Sequence, residues 1–149
     1  MSSLRQQALK LLARREHSRA ELAQKLAASA GKEEILIVLD QLEETGLISD
    51  RRTAEAYLRS HAQRLGAARL RQDLRAKGIA AELIDECLGT EAEAPLASEE
   101  ERALQVWQKK FGQAAEDARD WARQARFLQA RGFSSATIRK VLKSAGEES

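Results

Sequence analysis

The side chains best suited to acid–base or metal chemistry are few in this 149-residue chain: two histidines and one cysteine. His17 precedes a serine suited to capping a helix, and His61 falls among the apolar positions of a predicted helix, so packing explains both better than catalysis or metal binding. Cys87 is alone and can form neither an intramolecular disulfide nor a cysteine metal cluster. No glycine-rich phosphate loop, nucleophile elbow or His-Glu-x-x-His helix occurs. We therefore predict no catalytic, cofactor or metal site, and a protein that is not an enzyme.

The acidic clusters and the tryptophans also have structural explanations. Glu43 and Glu44, and the run Glu99 to Glu101, fall at surface or first-turn positions of predicted helices, where carboxylates interact favourably with the helix dipole. Trp107 and Trp121 recur at helical spacing with other apolar residues. This spacing predicts that both tryptophans anchor the core rather than stack on nucleic-acid bases.

Charge is the pattern that favours a binding function. The formal net charge is only +2, yet the charges fall in blocks. From Arg51 to Lys77 eight basic residues meet two acids, from Trp121 to Lys143 six basic residues meet none, and from Glu82 to Glu101 eight acids meet no base. Such blocks can form basic faces that favour a polyanion or an acidic protein groove, although any one block could equally be solvated helix surface. On charge alone, the candidate partner-binding residues are Arg59, Arg64, Arg69, Arg71, Arg75, Lys77, Arg123, Arg126, Arg131, Arg139 and Lys140.

The elements that position these charges are predicted to be helices. Helix-forming residues dominate the composition, aromatic residues make up 4%, and the one proline is Pro95, which is typical of an all-α protein. A chain of this length buries roughly 70% of the surface that its unfolded form exposes, so its fold needs no disulfide or metal. It contains no uninterrupted apolar run of signal-peptide or membrane-spanning length, so we expect a cytoplasmic protein.

Apolar residues recur at helical spacing through most of the chain and group into tandem units of three short helices, about nine helices in all. Ser18 with Glu21, and Ser98 with Glu101, are spaced as capping boxes that start helices. A linker is predicted from Gly89 to Ala97. Because units this small cannot bury their own apolar faces, we expect them to stack and present an extended surface. The predicted repeats are residues 1–49, 50–92 and 93–149.

An internal repeat is the most specific of these patterns. Residues 74–88 and 128–142 align at an offset of 54 residues, and each segment contains the end of a helix, a glycine, an apolar residue and a second short helix. Gly78 and Gly132 are predicted to take the left-handed conformation that ends a helix, with the next residue folding back as an apolar contact. The first repeat lacks this basic-Gly-apolar junction.

The two junctions also have the outline of a DNA-binding helix-turn-helix. The helix after Gly78 carries three acids, which would face phosphates with the wrong sign, whereas the helix after Gly132 carries Arg139, Lys140 and Lys143. Sequence-specific reading of a major groove normally also needs a dimer and side chains placed at base edges. A helix-turn-helix transcription factor is therefore the alternative function, and a scaffold that contacts no nucleic acid is a third.

Four stretches of the chain together resemble the RecX family of regulators of the RecA recombinase. They cover almost its whole length in the family's order: ALKLLARREHSRAELAQKL from Ala8, LEETGLISDRRTA from Leu42, ARLRQDLRAKGI from Ala68 and RFLQARGFSSATI from Arg126. Each stretch alone is only a helix motif, but the combination is specific. The chain departs from the family at Thr53, where Phe usually follows the Asp-x-Arg residues, and this departure concerns a local packing contact.

The resemblance implies three repeats of three helices in an elongated, curved molecule that lies in the helical groove of the RecA filament on single-stranded DNA. Members of the family restrain RecA by blocking filament growth or promoting disassembly. They thereby lower its ATPase, strand-exchange and co-protease activities, which modulates DNA repair and the SOS response. The implied partner is the RecA nucleoprotein filament, with at most weak, non-specific contact to DNA. We expect a monomer that needs no cofactor and contacts no membrane.

Overall fold

A computed structural model describes residues 3–89 and 97–148, and within these ranges the chain is helical and contains no β-strand. The prediction of an all-α fold is confirmed for this part of the chain. Residues 90–96, which hold most of the predicted linker, lie outside the described residues. The helices are α1 (Leu4–Arg14), α2 (Arg19–Leu26), α3 (Lys32–Glu44), α4 (Asp50–His61), α5 (Ala67–Ala76), α6 (Ala81–Leu88), α7 (Glu99–Lys110), α8 (Ala118–Ala130) and α9 (Ser135–Glu148), with a 3-10 turn at Ala62–Arg64.

The helices form two compact units, each with its own apolar core. The first unit comprises Met1–Tyr57 and Leu74–Cys87, and the second comprises Leu58–Asp73 and Leu88–Ser149, so the division passes through α4 and α5. Among the buried core residues of the first unit are Ala8, Leu22, Leu26, Ile35, Leu39, Leu42 and Ile48. Those of the second unit include Ala103, Trp107, Leu128, Phe133, Ile138, Val141, Leu142 and Ala145. Among the described helices, none has both the length and the apolar character needed to span a bilayer.

Serine side chains start several of the helices. Ser18 Oγ accepts a hydrogen bond from the backbone N–H of Glu21, whose carboxylate in turn accepts from the Ser18 N–H, so the predicted capping box of α2 is confirmed. Ser98 caps α7 by accepting from the N–H of Glu101, but the Glu101 carboxylate does not accept from the Ser98 N–H, so only half of the predicted capping box forms. Ser134 caps α9 by accepting from the N–H of the third residue beyond it. Each cap satisfies a backbone donor that the first turn of a helix leaves unpaired.

Two glycines end helices in the way that the internal repeat predicts. Gly78 has φ +80° and Gly132 has φ +90°, both in the left-handed region. After α5 the Ile79 N–H donates to the Leu74 carbonyl, and after α8 the Phe133 N–H donates to the carbonyl of Leu128, each at 3.3 Å. Both apolar residues are buried, as expected of the contact that closes this kind of helix end.

One of the two tryptophan predictions is wrong. Trp107 is buried and its indole N–H donates to the Gln124 side-chain oxygen at 2.8 Å. Trp121, in contrast, is 40% exposed. On α8 the fully buried positions belong to Gln124 and Leu128, and Trp121 lies at the edge of that face. The buried face of α8 therefore carries the Gln124 amide, which binds the Trp107 indole N–H, at a place where apolar periodicity predicted Trp121.

Candidate partner-binding surface

The start of α5 and the glycine turn after α8 lie in contact within the second unit. The Gly66 N–H donates to the carbonyl of Arg131 at 2.8 Å. A Cβ at Gly66 would overlap the backbone of Gly132, and a Cβ at Gly132 would overlap the Arg69 side chain. Arg69 also donates from Nη1 to the carbonyl of Ala130 at 3.3 Å. Two of the predicted partner-binding residues, Arg69 and Arg131, are thus brought to one surface although they are distant in sequence.

The first unit repeats this contact with α2 in place of α5. Ser18 Oγ donates to the carbonyl of Lys77, the residue before the glycine turn. A Cβ at Gly78 would overlap that of Ala20. The Lys77 ammonium lies 3.6 Å from the Glu21 carboxylate. Burial by itself would raise the pKa of Glu21, but the hydrogen bond from the Ser18 N–H and the charge of Lys77 outweigh burial and lower it.

A half-buried carboxylate and a buried guanidinium fix the helix starts of the second unit. Glu99 accepts from the Ala67 N–H and from the Thr137 hydroxyl, both at 2.8 Å, so one residue of α7 helps to cap α5 and α9. Burial opposes ionisation of Glu99, yet these hydrogen bonds lower its pKa. Arg102 is 6% exposed and donates from Nε and Nη2 to the Leu65 carbonyl, and burial lowers its pKa. No local pattern predicts these roles, because the Ala67 N–H and the Leu65 carbonyl are more than thirty residues from Glu99 and Arg102.

Aromatic rings hold three cations at the surface of the second unit. Phe111 and Phe127 meet edge to face with centroids 5.4 Å apart. Lys110 Nζ lies 5.4 Å and Arg131 Cζ lies 5.0 Å from the Phe127 centroid, and Arg123 Cζ lies 5.1 Å from that of Phe111. At these distances each ring attracts the cation. Lys110 and both phenylalanines are not among the predicted candidates, because only the approach of Phe127 on α8 to the end of α7 brings them together.

A surface cavity of about 460 Å³ opens beside these rings. Lys110 and Arg123 line it together with Glu116 and Asp120. The two signs of charge offset each other there, so the cavity does not favour a polyanion. Within residues 3–89 and 97–148, no group of three or more His, Cys, Asp or Glu side chains is placed to hold a metal ion.

The predicted partner-binding residues are divided unequally between the two units. Arg75 and Lys77 belong to the first unit, and the other nine belong to the second. Lys77 and Arg131 are half-buried, and the remaining nine are exposed. The structure therefore assembles most of the candidates on the second unit. The candidates of the second unit are Arg59, Arg64, Arg69, Arg71, Arg123, Arg126, Arg131, Arg139 and Lys140.

Internal ion pairs distinguish some of these cations from others. Arg69 pairs with Asp73 on α5 at 3.2 Å, and Arg123 pairs with Asp120 on α8 at 2.7 Å. Six of the exposed candidates pair with no acidic side chain in the described part of the chain: Arg59, Arg64, Arg75, Arg126, Arg139 and Lys140. These six can contact an anionic or acidic partner without first breaking an internal ion pair.

Three domain models of one protein family match the chain in order. The first three-helix domain of RecX matches residues 5–42, the second matches residues 49–88, and the third matches residues 98–142. Together they span most of the chain.

Individual proteins and solved structures agree with the domain matches. The chain is 48% identical to a regulatory protein RecX of Leptothrix cholodnii, covering 98% of this chain and 91% of that protein. It is 44% identical to a regulatory protein RecX of Ralstonia nicotianae, covering 96% and 88%. A crystal structure of RecX from Lactobacillus salivarius superposes with a TM-score of 0.77 over 97% of this chain and 95% of that one, at 20% identity. That likeness shows that the helical fold is shared.

Proposed function

Because the chain belongs to the RecX family, we propose that it restrains the RecA recombinase by binding the RecA filament on single-stranded DNA. The three consecutive domain matches carry this proposal, since they make the chain a regulatory protein of that family over nearly its full length. By binding in the filament groove it would limit filament growth, ATPase, strand exchange and co-protease activity. It would act in the cytoplasm as a monomer, modulating DNA repair and the SOS response without catalysing a reaction.

The charges on the second unit support a contact with an anionic or acidic groove. Nine candidate cations belong to this unit, and the exposed ones include five that no described acid pairs with. A concentration of positive charge on a stacked helical surface raises the rate of encounter with a polyanionic assembly and makes its affinity depend on salt. The cations that would contact the filament are Arg59, Arg64, Arg69, Arg71, Arg75, Lys77, Arg123, Arg126, Arg131, Arg139 and Lys140.

The test is to add the purified chain at substoichiometric amounts to RecA hydrolysing ATP on single-stranded DNA. We expect the rate of hydrolysis to fall well before the chain equals RecA in concentration, because a bound regulator that stops filament growth affects many protomers. An unchanged rate would exclude the proposed function. A titration with duplex DNA at several salt concentrations covers the transcription-factor alternative, which requires a strong preference for one sequence, whereas the proposed function allows only weak, sequence-independent binding.

A further inference from the structure

The helix α3 contains more apolar residues than its buried face can hold. Five consecutive residues, Ile35 to Leu39, are apolar, but a surface helix buries only the positions that recur every three to four residues. Ile35, Leu39 and Leu42 are buried in the core of the first unit. Leu36 is 42% exposed and Ile37 is 58% exposed. The fold of the unit therefore does not account for these two side chains.

Exposed large apolar residues are concentrated at this helix. Five such residues occur in the part of the chain that the structure describes, and three of them, Leu36, Ile37 and Leu47, lie on α3 or in the turn that follows it. Scattered single apolar residues on a surface are ordinary, whereas a cluster rimmed by polar residues is typical of an interaction site. Leu36 and Ile37 are neighbours on one helix and are 42% and 58% exposed, so they resemble an interaction site rather than scattered surface residues.

The rim of this apolar cluster carries more acidic than basic side chains. Lys32, Glu33 and Glu34 lie in the first turn of α3, and Glu44 ends the helix. Asp40 and Glu43 also belong to α3, but both pair with Arg19, at 2.8 and 2.9 Å. The exposed Glu33, Glu34 and Glu44 form no ion pair within the described residues. The outer face of α3 is thus apolar at its centre and negative at both ends.

The sign of this charge selects the kind of partner. A nucleoprotein filament offers phosphates and protein, and the acids of α3 would be repelled by phosphates. We propose, resting on the function proposed above, that the outer face of α3 docks on the protein part of the filament, at a recombinase surface where Lys or Arg side chains surround an apolar pocket. Leu36 and Ile37 fill the pocket, and the carboxylates of Glu33, Glu34 and Glu44 face its basic rim. The chain therefore contacts the filament through two surfaces of opposite charge.

The experiment compares a double substitution on α3 with a single control substitution on α7. Leu36→Gln with Ile37→Gln removes the apolar anchor and adds no charge, Gln has a high helix propensity, and neither residue belongs to the buried core of the first unit. The control is Leu104→Gln, since Leu104 is a 40% exposed apolar residue on α7 in the second unit. We expect the α3 variant to need at least about tenfold more protein for half-inhibition of RecA ATPase, as loss of a central apolar anchor does at other interfaces. The control should stay within about twofold of the unchanged chain.

Three further measurements test whether the α3 variant is folded, whether it binds DNA normally and whether the chain self-associates. Circular dichroism must show that both variants are folded at the temperature of the ATPase assay, because Leu36 and Leu104 each keep more than half of their surface buried. Affinity for bare single-stranded DNA should be the same for the α3 variant and the unchanged chain, and a loss there would overturn the assignment to protein. Sedimentation at increasing concentration tests self-association, and a dimer that the α3 substitutions abolish would overturn it in favour of a second copy.

Different results would contradict the proposed function and the docking of α3. If the unchanged chain does not slow RecA at all, the proposed function is wrong. If it slows RecA and the α3 variant does so equally well, the proposed function stands and the α3 docking surface is wrong.

Discussion

At the scale of single residues, a buried hydroxyl in α4 carries an energetic cost. Thr53 is 3% exposed, and its Oγ1 is the one buried side-chain polar atom of the described residues without a hydrogen-bond partner. A buried hydroxyl without a partner costs about 1–3 kcal/mol, because it has lost its hydrogen bonds to water. Thr53→Val replaces the hydroxyl by a methyl group and should raise the free energy of unfolding by about 1 kcal/mol, measured by urea denaturation.

Thr53→Ser provides the matched comparison for this substitution. It keeps the unpaired hydroxyl and removes the methyl group, so it should lower the free energy of unfolding by about 1 kcal/mol. A valine variant less stable than the unchanged chain would mean that the hydroxyl gains a partner in solution.

His17 makes the stability of the first unit depend on pH. The ring is 1% exposed, with Nδ1 3.0 Å from the Arg15 carbonyl and Nε2 3.1 Å from the Lys25 ammonium. An ammonium group can only donate, so Nε2 accepts and Nδ1 carries the proton, which is the arrangement of a neutral imidazole. Burial lowers the pKa of His17 below its ordinary value of 6.5, and although the hydrogen bond to Arg15 opposes the change, the Lys25 charge adds to it.

The expected outcome is a loss of stability in mild acid. Between the lowered pKa of the folded state and the ordinary value of 6.5 the unfolded chain binds a proton that the folded chain does not, so the free energy of unfolding falls as the pH drops through this window. Urea denaturation at pH 7.5 and at about pH 5.5 measures the change. His17→Gln should reduce the difference between the two pH values, and an equal difference in both proteins would assign the effect to another group.

At the scale of the elements, the sequence predicts where helices end better than it predicts which of their side chains pack against a neighbouring helix. The Gly78 and Gly132 turns and the Ser18 cap follow from residues within one turn of the chain, and all three are confirmed. The position of Trp121 was predicted wrongly, because periodicity gives the spacing of a helical face but not which side chain the neighbouring helix covers. The buried Gln124 that binds Trp107 is polar, so no hydrophobic pattern indicates it.

Gly132 should be the least replaceable of the left-handed glycines. Gly132→Ala combines a strained backbone with overlap against Arg69. We expect it to lower the free energy of unfolding by roughly 3 kcal/mol, to which strain contributes about 1–2 kcal/mol and overpacking about 1–3 kcal/mol. Urea denaturation followed by circular dichroism measures the loss, and hydrogen exchange of the α5 and α8 amides locates it.

Gly46 separates the backbone effect from the packing effect. It has φ +75°, but no atom lies within 4 Å of a Cβ placed there. Gly46→Ala should therefore cost only the conformational penalty of about 1–2 kcal/mol. Equal losses in the two variants would show that Arg69 moves away from the added Cβ at no cost in free energy.

At the scale of the whole molecule, charge predicts which residues are exposed but not which of them lie together. Nine of the eleven candidate cations are exposed, because long charged side chains rarely bury without a partner. The approach of Arg69 to Ala130 joins residues that are 61 positions apart, and the attachment of Lys110 to the ring of Phe127 depends on how α7 meets α8. Local patterns carry no information about such contacts.

Under the proposed function, the cations without internal ion pairs should contribute most to inhibition, and three of them lie on α8 and α9. Replacing Arg126, Arg139 and Lys140 together by Gln should raise the concentration for half-inhibition of RecA ATPase by roughly three- to tenfold and weaken its dependence on salt, since exposed charges act mainly on the rate of association. The melting temperature should change little, because exposed charges contribute little to stability.

A variant with the same net charge provides the control for this experiment. Arg5, Lys10 and Arg14 are exposed on α1 in the first unit and are not among the candidates. Replacing these three by Gln should leave inhibition within about twofold of that of the unchanged chain. If both triple variants lose inhibition equally, net charge rather than a particular surface governs binding.

The junctions at Lys77 and Arg131 are made by main-chain oxygens, which accept from Ser18 and from Gly66. Every amino acid has a main-chain carbonyl oxygen, so these two hydrogen bonds do not depend on which side chain precedes the glycine. Natural selection can exchange the cation at either position, and so alter what the surface recognises, at the loss of only a weak ring contact or ion pair. At these two residues the main-chain contact that stabilises the fold and the side chain that would contact a partner can therefore evolve at different rates.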